Sequence, residues 1–323
     1  MHGYACREGF EDALARELGR AGAPTVRRFP GFVGVELTGD VVPDPAFGRH
    51  ALPDARVVGA DSIGRLARGA FEEIAPSLDA ASGPWTEFAF ANDELTPRAR
   101  LVMKELLSLL DEKLKRSFRR RARSGDLLQL GLVGQETAVV SFATPRPLAS
   151  GFLEPSLPHE IPQDKRAPSS AYRKAEEAYA LLGVAPARNE RVVDLGAAPG
   201  GWSWTALKRG AQVTAIDKAE LLPPVAGAVT HLRKDAFTYE PETPFDWLLC
   251  DAITAPEKTL ALLDRWLEKR WCSKLVVNIK FKGTADYGKI EEARGILTRH
   301  GMLRARIKQL EADKNEVTVL GVW

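Results

Sequence analysis

Val192-Val193-Asp194-Leu195-Gly196-Ala197-Ala198-Pro199-Gly200-Gly201-Trp202 sets a glycine-rich turn where an apolar run stops and a helical pattern begins. Small residues at such a junction let a ligand approach the backbone closely. A dinucleotide fingerprint reads G-x-G-x-x-G and a P-loop carries G-K-[ST]; this stretch reads G-x-x-x-G-G with a proline inside, so it matches neither. An isolated glycine cluster can also serve a tight turn alone. Two acids downstream weigh against that. Asp217 ends the next apolar run about 20 residues on, where it could accept from ribose hydroxyls. Asp235 ends the run after that, where it could hold an adenine edge or cap the following turn.

Outward from this turn, strand and helix patterns alternate to residue 323. Strands are expected at Arg191 to Leu195, Gln212 to Ile216, Thr230 to Arg233, Phe245 to Cys250, Lys274 to Phe281, Leu303 to Leu310 and Val317 to Val322, with a helix at Ala171 to Leu182 before them. This order predicts an α/β fold, a doubly wound Rossmann-like sheet of seven strands. Glu311 to Asn315 is too short for a parallel crossover, so the last strand should enter antiparallel. Upstream, Pro145, Pro147, Pro155, Pro158, Pro162 and Pro168 interrupt every pattern and suggest an extended connector. Before it, α+β patterning predicts helices at Gly9 to Ala21, Ser62 to Ile74 and Thr96 to about Arg123. Strands are expected at Phe32 to Leu37, around Phe88 to Phe90, and at Leu127 to Val133 and Thr137 to Ala143, the last two joined as a hairpin through Gly134-Gln135. The expected divisions are residues 1–50, 51–145, a connector at 146–168, and 169–323.

Of the 323 residues 45% are apolar and 27% charged, ordinary for roughly two domains. Lys and Arg number 45 against 43 Asp and Glu, so an anionic partner would have to be met by local clustering. Cys6, Cys250 and Cys272 are far apart and no histidine falls beside them at ligand spacing, so neither a disulfide scaffold nor a metal site is expected. The N-terminus lacks an apolar h-region and no stretch offers about 18 consecutive apolar residues, which points to the cytoplasm rather than secretion or a membrane.

The strand ending Leu248-Leu249-Cys250-Asp251-Ala252-Ile253 closes on an acid, with neither an Asp/Asn-Pro-Pro-aromatic run nor a Pro-Cys pair. The next strand instead ends an apolar run on a lysine, Val276-Val277-Asn278-Ile279-Lys280. A lysine at such a place could act as a base only where burial and cationic neighbours favour its neutral form.

Asp194 to Trp202 resembles the first motif of S-adenosylmethionine-dependent methyltransferases of the FtsJ-like group. The resemblance implies S-adenosylmethionine as cofactor, held around Ala171, Asp194, Gly196, Ala198, Pro199, Gly200, Gly201, Trp202, Asp217, Asp235 and Asp251. It also implies a Lys-Asp-Lys-Glu tetrad. Lys174, Asp251, Lys280 and Glu316 stand at the matching places. The implied roles are Lys280 as base on the 2′-hydroxyl, Asp251 and Glu316 orienting the lysines, and Lys174 placing the ribose and easing loss of the neighbouring ammonium's proton. Taken singly, Lys174 and Glu316 could be solvated charges and Lys280 a strand-end lysine that keeps its head in water. The family pattern Ser-Arg-Ser-x-x-Lys-Leu is altered here: Ala171 replaces the second serine, and Arg173 precedes Lys174, so either could fill the first tetrad place.

Lys113, Lys115, Arg116, Arg119, Arg120, Arg121 and Arg123 form a basic run suited to phosphate, or a solvated helix end. The N-terminal half, with Cys6-Arg7-Glu8-Gly9-Phe10-Glu11, resembles the ferredoxin-like and THUMP modules of the RlmM-type 23S ribosomal RNA cytidine 2′-O-methyltransferases. Ala167-Pro168-Ser169-Ser170 and the stretch from Trp266 to Cys272 resemble the same family. The expected function is therefore ribose 2′-O-methylation of a cytidine in 23S ribosomal RNA, by a monomer with no evident protein partner. The alternatives are the same chemistry on transfer RNA or another ribosomal site, and an RNA-binding protein with a vestigial pocket. A small-molecule O-methyltransferase would need no RNA module.

Overall fold

The structure is a computed structural model that describes all residues except 40, 80–84, 93, 114–125, 156–158, 160, 282 and 284–285. The chain forms two units, Met1–Pro158 and His159–Trp323.

The first unit opens with β1 (His2–Ala5), α1 (Glu11–Arg20), β2 (Thr25–Phe29), β3 (Phe32–Val35) and β4 (His50–Leu52), in an antiparallel sheet ordered β2-β3-β1-β4. Pro30 and Gly31 join β2 to β3, and the φ of +71° at Gly31 is the conformation the second central residue of a type II turn requires. The second part is β5 (Arg56–Gly59), α2 (Ile63–Asp79), β6 (Trp85–Ala91), α3 (Thr96–Lys113), β7 (Asp126–Gly134) and β8 (Thr137–Ala143), with sheet order β5-β8-β7-β6 and β6 parallel to β7. Alternation along β7 sends Leu128, Leu130 and Leu132 to the face covered by α2 and α3, while Val133 packs with Phe32 and Leu52.

Periodicity alone misses β1, β2, β4 and β5, which are three to five residues long. Most of β2 is exposed, so it shows no apolar alternation. The expected division at residue 50 falls inside β4, which hydrogen-bonds to β1. Nor is the proline-rich stretch simply an extended connector. Leu148 and Phe152 are buried, and the Ala51 amide donates to Pro155 O at 2.6 Å, tying this part to the first unit. Ile161 and Ala167 instead pack against the Tyr172 and Trp204 cluster of the second.

The second unit contains α4 (Tyr172–Leu182), β9 (Arg191–Leu195), α5 (Gly201–Leu207), β10 (Gln212–Ile216), β11 (Thr230–Leu232) and β12 (Phe245–Cys250). It continues with α6 (Pro256–Glu268), β13 (Cys272–Lys280), α7 (Gly288–Arg299), β14 (Arg304–Lys308) and β15 (Glu316–Val322). The seven strands are ordered β11-β10-β9-β12-β13-β15-β14. β9 to β13 are parallel, and β15 runs antiparallel between β13 and β14, as the short preceding connection requires. Val192, Val193, Leu248, Leu249, Val276 and Val277 are fully buried, because helices cover both faces of a parallel sheet and its strands become continuous apolar runs. The strand order reverses between β9 and β12, and a doubly wound sheet opens a crevice at that point. Among the described residues, no helix is long and apolar enough to cross a membrane.

Candidate active site

At the carboxyl ends of β9, β10, β12 and β13 lies a cavity of about 550 Å³ whose lining includes Ala171, Asp194, Gly196, Ala198, Pro199, Gly201, Trp202, Asp217, Asp235, Asp251 and Lys280. Its floor depends on missing side chains. Gly196 has φ +74°, and a Cβ there would come within 2.7 Å of Ala252 Cβ. Gly200, with φ +112°, immediately precedes α5 as its N-cap residue, and a Cβ on Gly201 would run into Ser169 Oγ. That hydroxyl is buried on a residue lining the cavity and has no hydrogen-bond partner among the described residues.

The three strand-end acids have distinct environments. Asp194 is 1% exposed; burial pushes its carboxyl up to about 7, the charges of Asp251 and Asp217 add to this, and a 2.7 Å hydrogen bond from Ser203 Oγ opposes it. Asp217 pins two loops together: Oδ2 accepts from the Ala198 amide and Oδ1 from the Ala219 amide, both at 2.9 Å. Asp235 accepts from Lys218 Nζ at 2.8 Å and from the Phe237 amide at 2.9 Å, and these bonds hold its carboxyl below the usual range. Trp202 is buried and donates through Nε1 to Ala171 O at 2.9 Å, so the residue in place of the family's serine contributes its carbonyl to joining α4 and α5.

Beside the cavity, the four residues of the tetrad resemblance come together. Lys280 Nζ lies 2.9 Å from Asp251 Oδ1 and donates to Asp251 O at 2.7 Å. Lys174, from α4, is 8% exposed and donates to Glu316 Oε1 at 2.5 Å, with Asp313 Oδ1 at 3.4 Å and Asp251 Oδ1 at 3.7 Å. Burial works to lower its pKa, but the charges of Asp251, Asp313 and Glu316 outweigh that and raise it. Lys174 is therefore a fixed cation behind the cavity wall. Arg173 is exposed, so the lysine is the residue brought into the cluster. Lys280 and Glu316 face each other in register across β13 and β15.

Two members of the cluster were not among the candidates from sequence. Asn278 Nδ2 donates to Asp251 Oδ1 at 2.9 Å and Glu316 Oε2 at 3.1 Å. Its signal was its place two residues before Lys280, on the same strand face. Asp313 is fully buried and accepts from the Leu310 amide at 2.9 Å and Thr318 Oγ1 at 3.2 Å. Burial pushes its carboxyl well above the ordinary value, with the Lys174 charge opposing. Nothing local in the sequence marks it. Lys115, Arg116, Arg119, Arg120, Arg121 and Arg123, and the side chain of Lys113, lie outside the described residues.

The arrangement can hold an adenosyl-type ligand by carboxylates and close backbone, and present one lysine amine at the wall of the same cavity. Burial raises the Cys250 thiol to about 12, which leaves it a poor nucleophile.

The FtsJ-like methyltransferase family matches residues 169–274. The ribosomal RNA large subunit methyltransferase M of Alkalilimnicola ehrlichii is 32% identical over 346 residues, covering 98% of this chain and 92% of the relative. That of Halorhodospira halophila is 32% identical over 337 residues, 97% of this chain and 94% of its own. With such identity along nearly the full length of both chains, this chain belongs to the ribosomal RNA large subunit methyltransferase M family.

Proposed function

We propose that the chain methylates the ribose 2′-hydroxyl of a cytidine in 23S ribosomal RNA, with S-adenosylmethionine as methyl donor. The observation that carries this reading is Lys280 at the cavity wall, held by Asp251, with Lys174 and Glu316 paired behind it. A vestigial pocket would have no reason to keep all four together.

The cavity fits the cofactor by its own chemistry. Asp217 and Asp235 each keep carboxylate lone pairs beyond the bonds they accept, suited to ribose hydroxyls and an adenine edge. The Gly196 to Gly201 backbone would lie against the amino-acid end, where the Ser169 hydroxyl, without a hydrogen-bond partner among the described residues, offers a further donor. When bound, S-adenosylmethionine supplies an electrophilic methyl group on a sulfonium.

The protein's part is to prepare the nucleophile. Lys280, in its amine form, would take the proton that the 2′-hydroxyl gives up, and Asp251 would orient that amine and steady the ammonium that forms. Lys174 keeps Glu316 and Asp251 in place with its charge. The first unit, read as ferredoxin-like and THUMP-like modules, would supply RNA affinity through shape, ribose and phosphate contacts. The cytoplasm, where ribosomal RNA is found, is the proposed site of action.

Lys280→Ala tests the assignment: methyl transfer to 23S ribosomal RNA should be abolished while cofactor affinity by calorimetry stays near wild type. Single-turnover methylation within about tenfold of wild type would exclude general-base catalysis by this residue.

A further inference from the structure

We propose that Asn278 is a positioning residue for methyl transfer, one amide that sets the spacing of the two carboxylates serving the two lysines. This rests on the methyltransferase reading above. Asn278 sits in the central strand of the site, fully buried within the apolar run of β13. Asp251, just past the end of β12, lies on one side of it, and Glu316, at the start of β15, is diagonal on the other. Its Nδ2 carries two hydrogens, and the two acceptors within reach belong to the two different carboxylates, at 2.9 and 3.1 Å. The amide can face only one way, since a flip would turn its carbonyl oxygen toward two carboxylates.

Packing does not account for this residue. Asn278 Oδ1 is buried with no hydrogen-bond partner among the described residues, a cost that an apolar side chain of similar shape would avoid. Two carboxylates repel one another, and with lysines alone between them their separation would follow long, flexible chains. The short amide on a β-strand is rigid by comparison. It also shares Asp251 Oδ1 with Lys280 Nζ, so its bond selects the rotamer that presents this oxygen to the lysine.

The test uses the full-length protein, 23S ribosomal RNA and S-adenosylmethionine. Asn278→Ala and the volume-conserving Asn278→Leu should lower kcat about ten- to hundredfold, the effect of losing one to two charge-assisted hydrogen bonds that align the base. KM for RNA and the cofactor Kd should stay within about twofold of wild type. A second readout needs no turnover: the pH dependence of Lys280 acylation in the cofactor-free protein, followed by mass spectrometry. In Asn278→Leu, Asp251 Oδ1 loses the amide that turns it toward Lys280, so the ammonium loses part of its ion pair while the charges of Glu316, Lys174, Asp313 and Asp194 are unchanged. The labelling midpoint should therefore move to lower pH.

A kcat within twofold of wild type, a loss lying wholly in KM, or an unmoved labelling midpoint would each overturn the proposal. So would failure of both Asn278→Ala and Asn278→Leu to fold, since the amide would then hold the strands rather than the site. If the wild type itself transfers no methyl group, the functional reading fails first, and the labelling shift still reports whether Asn278 positions the lysine.

Discussion

Replacing Lys174 with methionine removes a cation that three carboxylates share behind the cavity wall, at 2.5 Å from Glu316, 3.4 Å from Asp313 and 3.7 Å from Asp251. Methionine fills much the same volume, so the loss is one of charge rather than packing. The side chains of Lys174, Asp313 and Glu316 are 10%, 0% and 11% exposed, so water cannot take over the role of the ammonium. Removing one partner of such a buried pair costs about 3–5 kcal/mol, because an uncompensated charge remains. The sign with pH follows from the carboxyls. Asp313 is already raised above its ordinary value by burial, and loss of Lys174 removes the charge that opposes this. A carboxyl with a raised folded-state pKa favours folding below its unfolded value, and that stability is lost as pH rises through the folded value. The deficit of Lys174→Met against wild type should therefore be largest above neutral pH and shrink as the solution is acidified toward pH ~5. Urea unfolding followed by tryptophan fluorescence isolates the second unit, since six of the seven tryptophans, all but Trp85, lie in it. Lys280→Met is the control: its 17%-exposed side chain has Asp251 as its ion-pair partner, so its deficit should be smaller. A loss below about 1 kcal/mol for Lys174→Met, or a deficit that grows on acidification, would refute this account of the cluster.

Three further outcomes are expected. Asp194→Asn should flatten the pH dependence of stability: burial raises this carboxyl to about 7, so its contribution is present at low pH and lost as pH rises through that value, whereas an amide does not titrate. Urea midpoints measured across that range check this, and an unchanged pH slope would count against it. Asp217→Ala should weaken S-adenosylmethionine binding about ten- to hundredfold by calorimetry, through loss of the proposed ribose contact and release of the Ala198 and Ala219 amides; unaltered affinity would remove Asp217 from the site. Glutamine at Arg119, Arg120, Arg121 and Arg123 should reduce the slope of log RNA affinity against log salt by about two to four units without altering cofactor affinity, and an identical slope would return the run to a solvated helix end.

Much of the second unit was legible from sequence because it rests on local regularities. Fully buried parallel strands are continuous apolar runs, the turn at Gly196 to Gly201 needs glycine for backbone geometry and close approach, and the residue that ends a run stands at the carboxyl end of its strand, where the crevice forms. Asp194, Asp217 and Lys280 follow from those rules, with the direction of the last strand, whereas Asp251 was reached through the family resemblance. Short exposed strands such as β2 carry no such pattern and form only because a partner supplies the hydrogen bonds. The fate of the proline-rich stretch was likewise decided by long-range contacts, the Ala51 amide for one end and the Tyr172 cluster for the other. The inner layer of the site was out of reach for the same reason. Asn278 is a polar residue in an apolar run, and Asp313 an acid in a loop, until β15 enters antiparallel and sets Glu316 diagonal to one while Lys174 reaches the other from α4. Sequence order places residues along each element; which charges come within about 4 Å of one another depends on strand register and helix packing, and only the folded chain decides those.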